Sequence, residues 1–164
     1  YGIRTIVFRQ SCIYGYRQFG IEDQGWVAWF LAAVLSGKEI AVFGNGKQVR
    51  DVLFIDDLTR AYAEALNRIN VTAGQVYNIG GGLKNSMSVW VEFKSLLQDL
   101  TGKTIEARSG DWRPGDQKIF IADINKAKRE FGWEPRIGID EGVAQLSDWI
   151  ENHLDLFREL GITE

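Results

Sequence analysis

Short β-branched runs alternate along the chain with longer segments whose apolar residues recur at helical spacing. Residues 3–8 (IRTIVF) are brief, β-branched and bounded by loop residues. They predict a buried strand, apolar on both faces, inside a parallel sheet. Residues 26–35 (WVAWFLAAVL) are apolar nearly all round and predict a helix buried on most sides, ended by Gly37. Residues 40–43 and 49–55 flank Gly44-Asn45-Gly46, and Asn-Gly favours a tight turn, so a β-hairpin is expected.

Asp56 or Asp57 is expected to cap a helix carrying Leu58, Ala61, Tyr62, Ala65, Leu66 and Ile69. A strand over 75–79 closes at Gly80-Gly81-Gly82. Ser88 caps the next amphipathic helix, which carries Val89, Phe93, Leu96, Leu97 and Leu100 and stops at Thr101-Gly102. A strand over 104–107, a short helix from Asp123 to Gly132 and a last helix from Asp140 toward Leu160 complete the pattern. Repeats, linkers and low-complexity segments are absent.

At 164 residues and 45% hydrophobic, the chain can bury about 70% of its unfolded surface in one unit. A net charge of -3 lacks the basic excess of a nucleic-acid binder. Cys12 is the only cysteine, which excludes an internal disulfide. No apolar run approaches 20 residues, so no membrane partner is expected, and a cytoplasmic setting is. His153 is the sole histidine, on the polar side of the last helix, which argues against a His triad or a metal site.

Three loops carry arginines where strand patterns turn: residues 9–18 (RQSCIYGYRQ), 44–57 (GNGKQVRDVLFIDD) and 113–116 (RPGD). Converging, they would suit a diphosphate, because guanidinium matches phosphate oxygens bidentately. Arg50-Asp51 also reads as a surface ion pair, and Arg113-Pro114-Gly115-Asp116 as a plain turn. Three glycine-rich candidates fail as phosphate loops. Val49 stands where a dinucleotide fingerprint starting at Gly44 needs glycine, Gly80–Gly82 lacks the spacing, and Leu97 stands where a P-loop ending at Lys103 needs glycine. Cys12 reads as a small core residue, and Trp26 as the tryptophan placed for ligand contact. No Tyr-x-x-x-Lys pair occurs, and Tyr14 is followed four residues on by Gln18.

RQSCIYGYRQ, EDQGWVAWF, GNGKQVRDVLFIDDLTRAY, YNIGGG, DWRPGDQK and ADINKAKREFGWEP, in that order, resemble the C-terminal part of extended short-chain dehydrogenases acting on nucleotide sugars. Within that family, Gln10-Ser11-Cys12 and Asp23-Gln24-Gly25-Trp26 are most like the branch that epimerises carbon 2 of a CDP-linked sugar. The resemblance implies an α/β fold: the substrate-binding part of such an enzyme with residual strands of the Rossmann-type sheet. Residues 1–20 would be a remnant of the cofactor-domain sheet, and residues 21–164 the substrate-binding domain.

It further implies that Gln10, Ser11 and Cys12 lie beside the nicotinamide of NAD, with Ala41 and Phe43 along the base. Arg50 and Arg113 would grip the diphosphate and Asp116 would accept a ribose hydroxyl. Arg17, Gln18, Gln24 and Trp26 complete the expected substrate contacts. Cys12 replaces an Asn common in the family. The family's Tyr base, with its pKa lowered by a Lys, is expected upstream of Tyr1, so the chain reads as half of an enzyme, inactive alone. It is expected to form homo-oligomers or to associate with its own N-terminal part. A nucleotide-sugar dehydratase or decarboxylase, and a non-catalytic binding module, are the rival readings.

Overall fold

The computed structural model describes residues 1–162; Thr163 and Glu164, the end of the expected substrate-binding unit, lie outside the described residues. Its centre is strand β4 (Val49–Phe54), whose run Val52-Leu53-Phe54 is buried on both faces. Successive side chains of a strand point to opposite sides, so Val52 and Phe54 enter one core and Leu53 the other. Strand β2 (Cys12–Tyr14) pairs in parallel with the end of β4, from Cys12 opposite Val52 to Tyr14 opposite Phe54. Strand β6 (Ser86–Ser88) runs antiparallel to its beginning, and the two-residue β8 (Ile119–Phe120) parallel to it.

Strand β1 (Val7–Gln10) pairs in parallel with β5 (Val76–Ile79), and β3 (Ile40–Phe43) with β7 (Ala107–Gly110). The first core packs helices α1 (Trp26–Ser36), α4 (Val91–Thr101) and α6 (Ile139–Glu151) around Tyr14, Phe54 and Met87. The second packs α2 (Ile55–Asn67) and α5 (Asn125–Phe131) against Leu53, Tyr77, Ile79 and Trp133. Two short helices, α3 (Ile69–Thr72) and α7 (Leu154–Glu159), complete the fold.

Several expectations hold. Helix α1 is buried from Val27 through Val34 and ends at Gly37, whose φ of 73° only glycine adopts readily. Trp90, not Ser88, holds the cap position of α4 and Val89 precedes the helix, but Ser88 braces its first turn: its hydroxyl accepts the Glu92 N–H at 2.8 Å, and Glu92 accepts the Ser88 N–H at 2.6 Å. The Ser88 N–H, with the Ser88 hydroxyl beside it, holds the Glu92 carboxyl below its usual range. Gly132 ends α5 in the left-handed conformation, as expected.

Others are corrected. The hairpin does not form: β3 and β4 flank a tight turn but pair with different strands. The Gln48 amide takes the Phe43 carbonyl, Gly44 N–H bonds to Gly110 and Val49 N–H to Lys118, so the ladder between the two strands is replaced. The first strand begins at Val7 rather than residue 3, and the strand expected over 104–107 starts at Ala107. Neither Asp56 nor Asp57 caps α2; Phe54 holds that position and both acids lie in the first turn. On α2, Tyr62 and Leu66 are exposed.

The last helix is two. Asn152 donates its side-chain amide to the Asp148 carbonyl and the His153 ring takes that of Trp149, so side chains occupy the carbonyls that continue a helix. His153 is accordingly half-buried and stacked on Trp149 at 4.8 Å.

The face of the β1–β5 pair opposite the second core is open. Ile6 and Phe8 find cover within the chain, whereas Ile3 is 76% and Val7 52% exposed. Among the described residues β1 pairs only with β5, which leaves one edge of N–H and C=O groups without a strand.

Candidate nucleotide-sugar site

Beyond the tight turn after β3 the chain comes back to its own start. Gly44 adopts φ 75°, and a Cβ there would lie 2.6 Å from the Gln48 amide and 2.9 Å from the Trp112 ring. That close approach sets Gln48, Arg50 and the 111–118 loop around one cavity of about 210 Å³. Trp26 and Phe30 of α1, Ala41, Val42 and Phe43 of β3, and Val89 give it an apolar lining. Glu22, Asp23, Gln24, Gln48, Arg50, Arg113 and Asp116 supply its polar groups. A mostly apolar cleft with a few convergent charges is the usual form of a small-molecule site.

Arg50 and Asp51 are neighbours on β4 and serve opposite faces. Arg50 donates to Asp116 Oδ1 at 2.7 Å and to its own neighbour's carbonyl, on Val49, at 2.9 Å; Gln48 donates to Asp116 Oδ2 at 3.0 Å. The surface pair with Asp51 read from the sequence is therefore replaced by a partly buried pair with Asp116. Fully buried Asp51 instead accepts the Ser11 hydroxyl at 2.5 Å and the Gly82 N–H at 3.0 Å, fastening the glycine run after β5 to the start of β2. Arg113 lies over the Phe43 ring at 4.0 Å, pairs with Asp23 at 2.9 Å and donates to the Glu22 carbonyl at 3.2 Å.

Eight of the expected site residues thus meet in the cavity: Cys12, Gln24, Trp26, Ala41, Phe43, Arg50, Arg113 and Asp116. Four do not line it. Arg17 is exposed, at a left-handed φ of 64°, and Gln18 donates to the Ile13 carbonyl at 3.2 Å. Gln10 donates to the Tyr62 hydroxyl and Ser11 to Asp51. The three arginine loops accordingly converge through Arg50 and Arg113, without Arg9 or Arg17.

Gln48, Glu22 and Asp23 were missed. Gln48 stands two residues before Arg50, on the same side of an extended chain, and that spacing was the available signal. Glu22 and Asp23 stand in the EDQGWVAWF motif beside Gln24 and Trp26, but nothing in that motif gave either acid a site role.

Tyr14, Tyr16 and Tyr77 are held in the neutral phenol form. Burial raises the Tyr14 hydroxyl well above its ordinary range and, with a hydrogen bond to Asp56, pushes Tyr16 to about 12. Burial and a bond to Glu130 likewise push Tyr77 to about 12. Burial raises the Cys12 thiol as well, opposed by a contact with the Trp26 indole and by the Arg50 charge. Gln10 and Ser11 make their side-chain bonds within the chain, and no glycine-rich dinucleotide fingerprint occurs in its sequence.

A protein-family model described as GDP-mannose 4,6 dehydratase matches residues 1–146. The chain belongs to the extended short-chain dehydrogenase family of nucleotide-sugar epimerases and dehydratases. It is 39% identical over 154 residues to the CDP-paratose 2-epimerase of Salmonella typhi, covering 91% of this chain and 45% of that protein. The crystal structure of a Thermotoga maritima UDP-glucose 4-epimerase with UDP-glucose superposes with a TM-score of 0.82 at 35% identity, covering 94% of this chain and 48% of that one. A dTDP-glucose 4,6-dehydratase from Streptomyces venezuelae with NAD bound gives 0.84 at 26% identity, covering 97% and 47%. The chain spans about half the length of the relatives it matches.

Proposed function

We propose that this chain is the nucleotide-sugar-binding part of an NAD-dependent epimerase that inverts carbon 2 of a CDP-linked sugar by transient oxidation. The convergence of Arg50 and Arg113 on one apolar-lined cavity carries the reading. In it the two guanidinium groups hold the diphosphate and Phe43 and Ala41 lie along the base. Asp116, steadied by Arg50 and Gln48, accepts a ribose hydroxyl. Trp26 and Gln24 confine the sugar, and Cys12 is its neighbour on the reacting side. Residues 1–20 continue the cofactor-side sheet and 21–164 form the substrate side.

No Tyr-x-x-x-Lys pair and no dinucleotide fingerprint occur in the 164 residues, and on this reading the base and the cofactor fold belong to other polypeptide. The choice of CDP and of epimerisation is supported by the Salmonella typhi relative, and the dehydratase neighbours keep elimination as the second reading. Incubating the intact protein with NAD and CDP- or UDP-sugars separates them: an isomer supports epimerisation, a keto-deoxy product the dehydratase. The isolated 164-residue chain should turn over neither, and measurable isomerisation by it would place the base within this sequence after all.

The open face and free edge at Ile3, Val7 and Val76 support association with a second copy or with the cofactor-binding part. Light scattering with mass spectrometry on the purified chain should show self-association or a companion fragment. A monomer without a companion would remove this part of the proposal.

A further inference from the structure

We infer that Asp23 is an internal competitor for the diphosphate: its carboxylate holds the Arg113 fork that a phosphate would take, and the two exchange on binding. The inference rests on the proposed nucleotide-sugar site and adds to it an unequal division of labour between the two arginines.

Burial separates the two ion pairs. Arg50 and Asp116 are only 14% and 24% exposed, and Asp116 is further held by Gln48. Taking one partner from such a pair strands a charge away from water, so it is expected to persist. Arg113 and Asp23 are 36% and 84% exposed, where an ion pair is weak and its carboxylate is readily rehydrated.

Local structure favours the exchange. Asp23 sits at the tip of a small turn closed by two bonds between Ile21 and Gln24, 2.9 and 3.0 Å, so the tip can release Arg113 without unfolding its base. The guanidinium itself is set over the Phe43 ring at 4.0 Å and keeps that seat whichever anion it meets. A phosphate offers more charge and more acceptor oxygens than one exposed carboxylate, and bidentate geometry besides. Arg50 stays neutralised by Asp116 and contributes remaining N–H donors, while Arg113 supplies the net positive charge. Asp23 then lowers the affinity for ligands whose diphosphate must displace it and leaves uncharged nucleosides unaffected.

Calorimetric titration of the intact protein with CDP and with cytidine tests this on wild type, Asp23→Asn and Glu39→Gln. Glu39 makes the same charge change outside the cavity, beside Arg108 at 3.8 Å. Asp23→Asn should tighten CDP roughly two- to fivefold, the worth of an exposed pair. Glu39→Gln should match wild type, and cytidine should not distinguish the three proteins. CDP binding by Asp23→Asn no tighter than wild type, equal tightening by Glu39→Gln, or the same gain with cytidine each overturns the competition. Loss of CDP binding from wild type as well as both variants would instead remove the nucleotide-sugar reading, and the inference with it.

Discussion

Asp57→Ala is expected to cost about 3 to 5 kcal/mol of folding stability, the penalty for removing one member of a buried ion pair. The side chain is 2% exposed and pairs with Arg60 at 2.5 Å. Its other oxygen accepts the Arg136 and Ile137 N–H groups, both at 2.9 Å, and its backbone carbonyl accepts the Trp133 indole N–H at 2.9 Å. One carboxylate thus ties the first turn of α2 to the strap that leads into α6, beside fully buried Trp133.

Alanine would leave two backbone donors without a partner, each worth about 1 to 3 kcal/mol, and would leave Arg60 bonded only to Glu64 and the Glu134 carbonyl. Against a typical total of about 5 to 15 kcal/mol the variant should be marginal, with Tm lower by roughly 6 to 20 °C. Asp57→Asn keeps an acceptor for the strap and should lose less. Urea unfolding of the three proteins checks the order; a loss below about 1 kcal/mol for alanine would show that water replaces the carboxylate and that the strap is held by Trp133 alone.

Asp57 also shows what the sequence could not reveal. An acid before an apolar-periodic run reads as a helix cap, yet this one reaches across the fold to residues 136 and 137, nearly eighty positions away. The same limit explains the hairpin. Asn-Gly specified a tight turn, and the turn exists, but which strands pair is decided by long-range partners: β7 takes β3, and β2, β6 and β8 take β4. Elements governed by their own pattern were legible. Helix α1 is apolar all round and buried, and Gly37 and Gly132 end helices where a positive φ is required.

At the site, Arg50, Arg113, Asp116, Trp26 and Phe43 were found through their match to an ordered set of family motifs, and they share one cavity. What the motifs did not carry is who pairs with whom. The Asp116 carboxylate closes on Arg50 across 66 positions, and Asp23 reaches Arg113 from a turn beside α1. Both are side-chain meetings made by folding, with no local periodicity to betray them.

That pairing shapes the second large effect, in the Arg50→Ala variant. A charge-assisted hydrogen bond to a phosphate is worth about 1.5 to 3 kcal/mol, so the intact protein should bind CDP roughly 10- to 150-fold more weakly. Part of any loss would have another origin, because alanine also leaves Asp116 as an uncompensated negative charge facing the same cavity. The double variant Arg50→Ala/Asp116→Asn separates the two causes: it keeps the missing phosphate donor but removes the repelling carboxylate. If Arg50 grips the diphosphate, the double variant should recover only a minor fraction of the affinity, and raising salt should weaken wild-type binding more than that of either variant. Full recovery in the double variant would mean that Arg50 serves only to neutralise Asp116, leaving the diphosphate to Arg113. Thermal unfolding run alongside guards against misreading a folding defect, since a buried pair is broken in the single variant and absent in the double.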